Sequence, residues 1–99
     1  MNVASSIAQS GLNAAQRHMG SSAHNIANVE TDNFHREEVT QEAVAGGGVK
    51  ASLRRAPVPS EALNKDLVEQ KSAGYAFDAN LKVIQTEKKM MGQLLDEQV

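Results

Sequence analysis

Heptad spacing of apolar residues at both ends of the chain constrains the fold more than any other feature. In each segment the spacing alternates between four and three residues, which places the members along one side of an α-helix. The first row comprises Ala8, Leu12, Ala15, Met19, Ser22 and Ile26. The second row comprises Leu63, Leu67, Gln70, Gly74, Phe77, Leu81, Ile84, Lys88, Met91 and Leu95. The rows predict two long helices, over residues 3–28 and 61–97, that pack against partner helices.

Residues 30–59 differ from both helical segments in composition. Gly46-Gly47-Gly48 is a flexible break, and Pro57 and Pro59 prevent a regular helix around them. Isolated apolar residues among polar neighbours favour one or two short strands, around 34–43 and 49–55, joined at the three glycines. A two-stranded ribbon is only marginally stable alone in water, so we expect it to lie against a partner surface.

Length and composition favour one domain with a thin helical core. The chain has 99 residues, and its aromatic residues are Phe34, Tyr75 and Phe77. Aliphatic residues therefore supply most of the apolar volume, which suits helix–helix packing better than a thick sheet-based core. We predict a mainly α fold that spans residues 1–99 as a single domain. Its two long terminal helices pack as an antiparallel coiled-coil hairpin, with a short irregular or β-ribbon connection.

Charge and hydropathy argue against several classes of partner. The formal net charge is −2, and Lys and Arg are dispersed, so no basic stripe for nucleic acid is present in the sequence. No apolar run approaches the ~20 residues of a membrane span. The chain has no cysteine, which excludes disulfides and thiolate metal sites. The opening residues lack a basic and an apolar region, so we expect no cleaved signal peptide.

The sequence contains no recognisable catalytic or metal-binding pattern. His18 and His24 lie six residues apart on one predicted helix, and their side chains would point about 120° apart. His35 falls in the connecting region, so we expect three solvated histidines and no metal site. Lys50 does not directly follow the glycines as the phosphate-loop pattern requires. We predict no enzyme activity, no cofactor and no small-molecule substrate.

The predicted hairpin has more apolar positions than two helices can cover. Two helices shield their shared side but leave other apolar residues in contact with water. A large uncovered apolar strip marks an interaction site. We therefore expect contacts with other subunits at Ile7, Val68, Val83, Met90 and Leu94.

The end of the first helical segment resembles the N-terminal signature of the bacterial flagellar axial proteins, which build the rod and hook. That signature is a helix rich in small residues, then AxNIANxxT and an aromatic residue. Asn ends helices by left-handed geometry or by bonding free backbone groups, and Thr ties the turn that follows. The matching residues are Ala23, Asn25, Ile26, Ala27, Asn28, Thr31 and Phe34.

The second helical segment is similar to the C-terminal signature of the same family, DLVxx…AYxANxKVIxTxxxMxxxLL. Asn80 is a poor helix former inside a predicted packing row, which suggests a hydrogen-bonding role across helices or subunits. The matches are Asp66-Leu67-Val68, Ala76-Phe77, Ala79-Asn80, Lys82-Val83-Ile84, Thr86, Met90 or Met91, and Leu94-Leu95.

The two signatures cover about half of the chain, in the family's order, and the chain departs from the pattern in its middle. Asp32-Asn33 replaces the usual Pro-Gly after the Thr. The connection is also too short for the β-rich outer domain that many hook and distal-rod subunits carry. The resemblance is therefore to a short member, near the proximal-rod proteins.

The resemblance implies a structural subunit of the flagellar basal-body rod, polymerised through its terminal helices and transmitting torque in the periplasm. The implied partners are other rod and hook proteins, further copies of the chain and the flagellar type III export apparatus. The alternative is a paralogue that is never assembled and acts as an adaptor or regulator of flagellar assembly. The residues expected to carry helix packing and assembly are Leu12, Met19, Asn25, Ile26, Asn28, Leu67, Phe77, Asn80, Leu81, Ile84, Met91 and Leu95.

Overall fold

The computed structural model describes residues 3–60 and 62–97, which form two helices and two strands. In chain order these are α1 (Val3–Ala27), β1 (Glu37–Ala43), β2 (Val49–Arg55) and α2 (Leu63–Glu97). The helices pack against each other and the strands form one short ribbon, so the predicted mainly α hairpin is confirmed. Helix α1 ends one residue before its predicted limit. Helix α2 begins at residue 63; residue 61, its predicted start, lies outside the described residues.

The ribbon forms on either side of the glycine turn, and in β2 the apolar residues Val49, Ala51 and Leu53 alternate with polar ones. Strands β1 and β2 pair antiparallel, with Ala43 opposite Val49 next to the turn and Glu37 opposite Arg55 at the open end. All three glycines have positive φ, between 91° and 104°, which L-residues with a Cβ rarely adopt. The chain can therefore reverse there within a few residues.

The ribbon lies along one side of α1 and is hydrogen-bonded to it at two points. Near the glycine turn, the Val49 N–H donates to Ser10 Oγ at 3.1 Å. At the open end, Ser21 Oγ donates to the Glu37 carbonyl at 3.1 Å. Helix α1 supplies the surface that a lone ribbon needs, and Ala14, between the two serines, is buried.

Helix α2 packs antiparallel on a different side of α1. Asn25, near the end of α1, bonds to Asp66, near the start of α2. Ser5, near the start of α1, donates to the Glu87 carboxylate. Helix α2 is the longer helix, about 52 Å against about 37 Å for α1 at 1.5 Å per residue. The described residues form a thin rod of 64 × 25 × 13 Å.

The side of α2 that faces α1 differs from the predicted row at alternate positions. Gln70, Phe77 and Ile84 lie in the row as predicted. The intervening positions fall one residue earlier, so that Leu67 and Leu81 are displaced to an exposed flank. The buried or half-buried row of α2 is Asp66, Gln70, Ala73, Phe77, Asn80, Ile84 and Glu87.

Small residues on α1 explain this shift. Ala8, Gly11 and Ala15 line the side of α1 that faces α2. A Cβ added to Gly11 would lie 2.6–2.7 Å from side-chain atoms of Asn80. The helices therefore approach closely, and short side chains fit between them better than leucine does.

No helix in residues 3–60 and 62–97 has the length and apolarity needed to cross a membrane.

Candidate assembly surface and its buried polar end

A buried asparagine joins α1 to the open end of the ribbon. Asn25 is 4% exposed and lies in the last turns of α1. Its Nδ2 donates to the Glu37 carbonyl at 2.9 Å, and its Oδ1 accepts from the Glu37 N–H at 2.8 Å. This two-way bond reproduces the pairing that a neighbouring strand would give to Glu37. The amide of Asn25 therefore sets where β1 begins on the surface of α1.

The carboxylate of Asp66 connects α2 to the same place. Asp66 is 2% exposed and accepts from Asn25 Nδ2 at 3.2 Å. Arg36 is 6% exposed, directly precedes β1, and donates both Nε and a terminal nitrogen to the two Asp66 oxygens. The Nε–Oδ2 distance is 3.2 Å. We call Asn25, Arg36 and Asp66 the clasp, because they join α1, the ribbon and α2 at one point.

The electrostatics of the clasp favour the ionised pair. The side-chain hydrogen bond to Asp66 holds the pKa of Arg36 above its ordinary value, although burial acts in the opposite direction. Guanidinium and carboxylate match as a bidentate pair, and Asn25 uses a remaining acceptor site on Asp66. Every buried side-chain N or O atom among the described residues has a hydrogen-bond partner. Burial of these charges is therefore compensated.

Polar contacts continue along the interface between α1 and α2. Ser22, also buried, donates its hydroxyl to the amide oxygen of Gln70. His18 donates Nδ1–H to the Glu69 carboxylate at 2.6 Å. Hydrogen bonds of this kind need one alignment of the two helices, whereas apolar contacts tolerate sliding. The polar pairs therefore set the register of the hairpin.

Asn28 ends α1 by bonding backbone groups. Its Nδ2 donates to the His24 carbonyl at 2.9 Å, and its Oδ1 accepts from the Thr31 hydroxyl at 3.1 Å. The left-handed residue of this turn is Asn33, with φ of 58°. The sequence interpretation of Asn28 as a bonded helix end agrees with this geometry, but the left-handed geometry lies five residues later.

Asn80 bonds within its own helix. Its Nδ2 donates to the Ala76 carbonyl at 2.8 Å, while the side chain packs against Gly11 of α1. The described contacts of Asn80 therefore include no hydrogen bond to α1. Its role in this hairpin is steric, since it fills the space that the missing Cβ of Gly11 leaves.

The far end of α2 presents an apolar surface to solvent. The contact of Ser5 with Glu87, near the start of α1, lies ten residues before the end of α2. The last turns of α2 extend beyond it. We call residues 90–97 the overhang. Its apolar side chains are 52–64% exposed and comprise Met90, Met91, Leu94 and Leu95.

The apolar surface of the overhang continues back along α2. Val83 borders an open groove of about 600 Å³, with Met90, Met91 and Leu94 further along the same groove. Met91 and Leu94 also prolong the row that packs on α1, because they follow Ile84 and Glu87 with the same spacing. The contact side of α2 therefore extends past the end of its partner helix.

The residues predicted to carry packing and assembly fall into three groups. Leu12 and Asn25 are buried, and Asn25 belongs to the clasp. Half-buried along the hairpin or at the end of α1 are Met19, Ile26, Asn28, Phe77, Asn80 and Ile84. Exposed outside the contact between α1 and α2 are Leu67, Leu81, Met91 and Leu95.

Sequence reasoning missed the roles of Arg36 and Asp66. Arg36 lies in a polar stretch without periodicity, and Asp66 appeared only as part of a signature. One signal was available, because Asp66, Gln70, Ala73 and Phe77 have the same alternating spacing as the predicted row. A carboxylate in a helix-packing row requires a buried cationic partner.

The described residues contain no group of three or more His, Cys, Asp or Glu side chains that could hold a metal ion. Comparison of the chain with models of known protein families and with curated proteins gives no match.

Proposed function

We propose that this chain is a structural subunit of the bacterial flagellar basal-body rod that assembles through the exposed apolar side of α2. Two lines of support are independent of each other. One is the resemblance of both terminal segments to the flagellar axial signatures. The other is the distribution of apolar area, which carries the proposal.

Most of the large apolar side chains on α2 are exposed, whereas the buried apolar residues are mostly small. The buried apolar residues of the described chain are mostly alanines, with Leu12 the largest. The exposed large residues include Leu67, Val83, Met90 and Leu95. Fully burying one such side chain against a partner would contribute about 1.5–3 kcal/mol. An exposed apolar surface of this kind marks a site of interaction with another protein.

The position of this surface suits a filament. It lies at one end of a rod 64 Å long, while the clasp lies towards the other end. A contact between unlike surfaces propagates into a helical array when the rotation between subunits does not close a ring. Other axial proteins and further copies of this chain are the partners that the proposal implies, with the type III export apparatus as the route.

Purified basal bodies provide the test. An epitope-tagged chain is expressed in its own cells, and basal bodies are isolated and probed for the tag. We expect the tagged chain in the basal-body fraction, and we expect Met91→Asp to remove it. Gln93→Asp introduces the same charge on another face of the overhang and is the matched control, which should retain it.

The alternative function is an adaptor or regulator of flagellar assembly that is never assembled itself. It shares the hairpin and the exposed surface but predicts a different location. A tagged chain found only in the soluble fraction, bound to a flagellar protein through the overhang, would favour it and contradict the rod proposal.

A further inference from the structure

We propose that the ribbon is a releasable strap over α1, and that the ionic pair of the clasp is what keeps it closed. This inference concerns the conformation of the chain and does not rest on the proposed function. It follows from how unequally the two ends of the ribbon are held.

The end near the glycine turn is held weakly. Its described hydrogen bond to α1 is the one from the Val49 N–H to Ser10 Oγ, and Ser10 also donates to the Ile7 carbonyl at 2.6 Å. The other close approaches at this end are steric, of Gly47 to the Ile7 side chain and of Gly48 to Ser10. Contacts of this kind near a solvent-exposed loop open readily.

The open end is held by the clasp and moves as a unit. The Arg36 carbonyl accepts from the Ala56 N–H at 2.8 Å, and His35 donates Nδ1–H to the Ala56 carbonyl at 2.7 Å. Residues 35–36 before β1 are therefore tied to residue 56 after β2. Displacement of Arg36 carries both strands with it.

Asp66 is the residue that α2 contributes to the clasp. Arg36 and Asn25 belong to the first part of the chain, and the carboxylate reaches them only when the first turns of α2 lie on α1. Without this carboxylate the buried Arg36 guanidinium loses its hydrogen-bonded counter-ion, and Glu38 and Glu69 act on it only through their charge. The guanidinium regains water if the chain at residue 36 moves outward, which lifts the open end of the strap.

Release of the strap would uncover a second side of α1. Ala14 and Ser21 lie beneath it and are 2% and 4% exposed. Ser21 would also lose its bond to the Glu37 carbonyl. Lifting the first turns of α2 would in this way open a surface on a different helix, so the clasp couples α2 docking to access to α1.

Hydrogen exchange followed by mass spectrometry on the full chain tests the inference. Asp66→Asn removes the charge and little else, and Asp78→Asn removes an exposed charge from the same helix as the matched control. We expect amides of residues 37–55 to exchange at least about tenfold faster in Asp66→Asn, with residues 8–20 and 73–87 unchanged. The Asp78→Asn protein should match the unmodified chain.

A second variant separates charge from packing. Arg36→Met/Asp66→Leu removes both charges, so no uncompensated ion remains and the strap should stay closed. Spin labels on cysteines introduced at Thr40 and Ser72 should give one narrow distance in this variant and in the unmodified chain. The same labels should give a broad distribution in Asp66→Asn.

Three outcomes would overturn the inference. Exchange in the ribbon could remain unchanged in Asp66→Asn. Helices and ribbon could lose protection together, which would make the pair a global stabiliser. The ribbon could open equally in Asp66→Asn and in Arg36→Met/Asp66→Leu, which would show that the uncompensated charge does not drive release.

Discussion

The clasp and the overhang invert the usual distribution of polar and apolar groups. At the clasp, the charged and amide side chains of Asn25, Arg36 and Asp66 are buried, and each of their buried polar atoms has a hydrogen-bond partner. At the overhang, methionine and leucine side chains are exposed. Polar contacts need one geometry and therefore specify the hairpin, whereas apolar contacts contribute free energy wherever they are covered.

The difference indicates a division of roles between the two regions. The clasp determines how α1, the ribbon and α2 are arranged, at little net gain in stability because desolvation offsets the ionic attraction. The apolar side chains of the overhang are at least half exposed, and under the proposed function this area is what a partner would cover. Changes at the clasp should therefore act on the fold, and changes at the overhang should act on association.

The largest expected effect is on association, from Met91→Asp. Losing one buried apolar side chain and placing a carboxylate there should weaken self-association by about 1.5–3 kcal/mol or more, at least tenfold in dissociation constant. Sedimentation velocity over a concentration series measures it, and circular dichroism should show unchanged helicity. If Gln93→Asp weakens association equally, the added negative charge alone is responsible, and the apolar side of the overhang is not the contact surface.

At the clasp, Asn25→Ala should lower the free energy of unfolding by about 1–3 kcal/mol, because the Glu37 backbone groups lose their buried partners. Urea denaturation followed by circular dichroism measures the change. Asn13→Ala on the exposed side of α1 is the control and should be near neutral. Equal effects from both substitutions would show that Asn25 has no special structural role.

Two glycines of α1 test how closely the helices approach between these regions. Gly20 has no atom within 4 Å of an added Cβ, so Gly20→Ala should stabilise the protein by about 1 kcal/mol through helix propensity. In Gly11→Ala the added Cβ would collide with the Asn80 side chain and displace it from its hydrogen bond to the Ala76 carbonyl. This substitution should therefore not stabilise the protein. Thermal unfolding compares the two, and equal stabilisation would contradict the close packing.

The smallest effect should come from the exposed ion pair of the ribbon. Arg54 lies 2.5 Å from the Glu38 carboxylate and lowers the pKa of Glu38, through the hydrogen bond first and charge second. A lowered pKa means that any stabilisation is present at neutral pH and is lost as pH falls through the lowered value. Because Glu38 is solvated, Glu38→Gln should leave the unfolding midpoint at pH 7 within error. A clear shift in the midpoint would mean that the exposed ion pair contributes measurably to stability, contrary to this comparison.

Local patterns determined the elements of this protein. Heptad spacing predicted both helices to within two residues wherever the structure describes their ends, and the three glycines predicted the turn of the ribbon. These features depend on neighbours along the chain, so they can be recognised in one sequence. The exposure of Met90 and Leu94 also followed, since two helices have too little surface to cover every apolar residue.

Only the tertiary structure decided which of two adjacent rows of α2 faces α1. The sequence favoured Leu67 and Leu81 on apolar character, but close approach at Gly11 favours the smaller residues beside them. The clasp likewise depends on tertiary structure. Arg36 and Asp66 are 30 positions apart, and no local sequence pattern identifies them as partners. Periodicity reports which side of a helix is apolar, whereas the fit of facing side chains determines which residues meet.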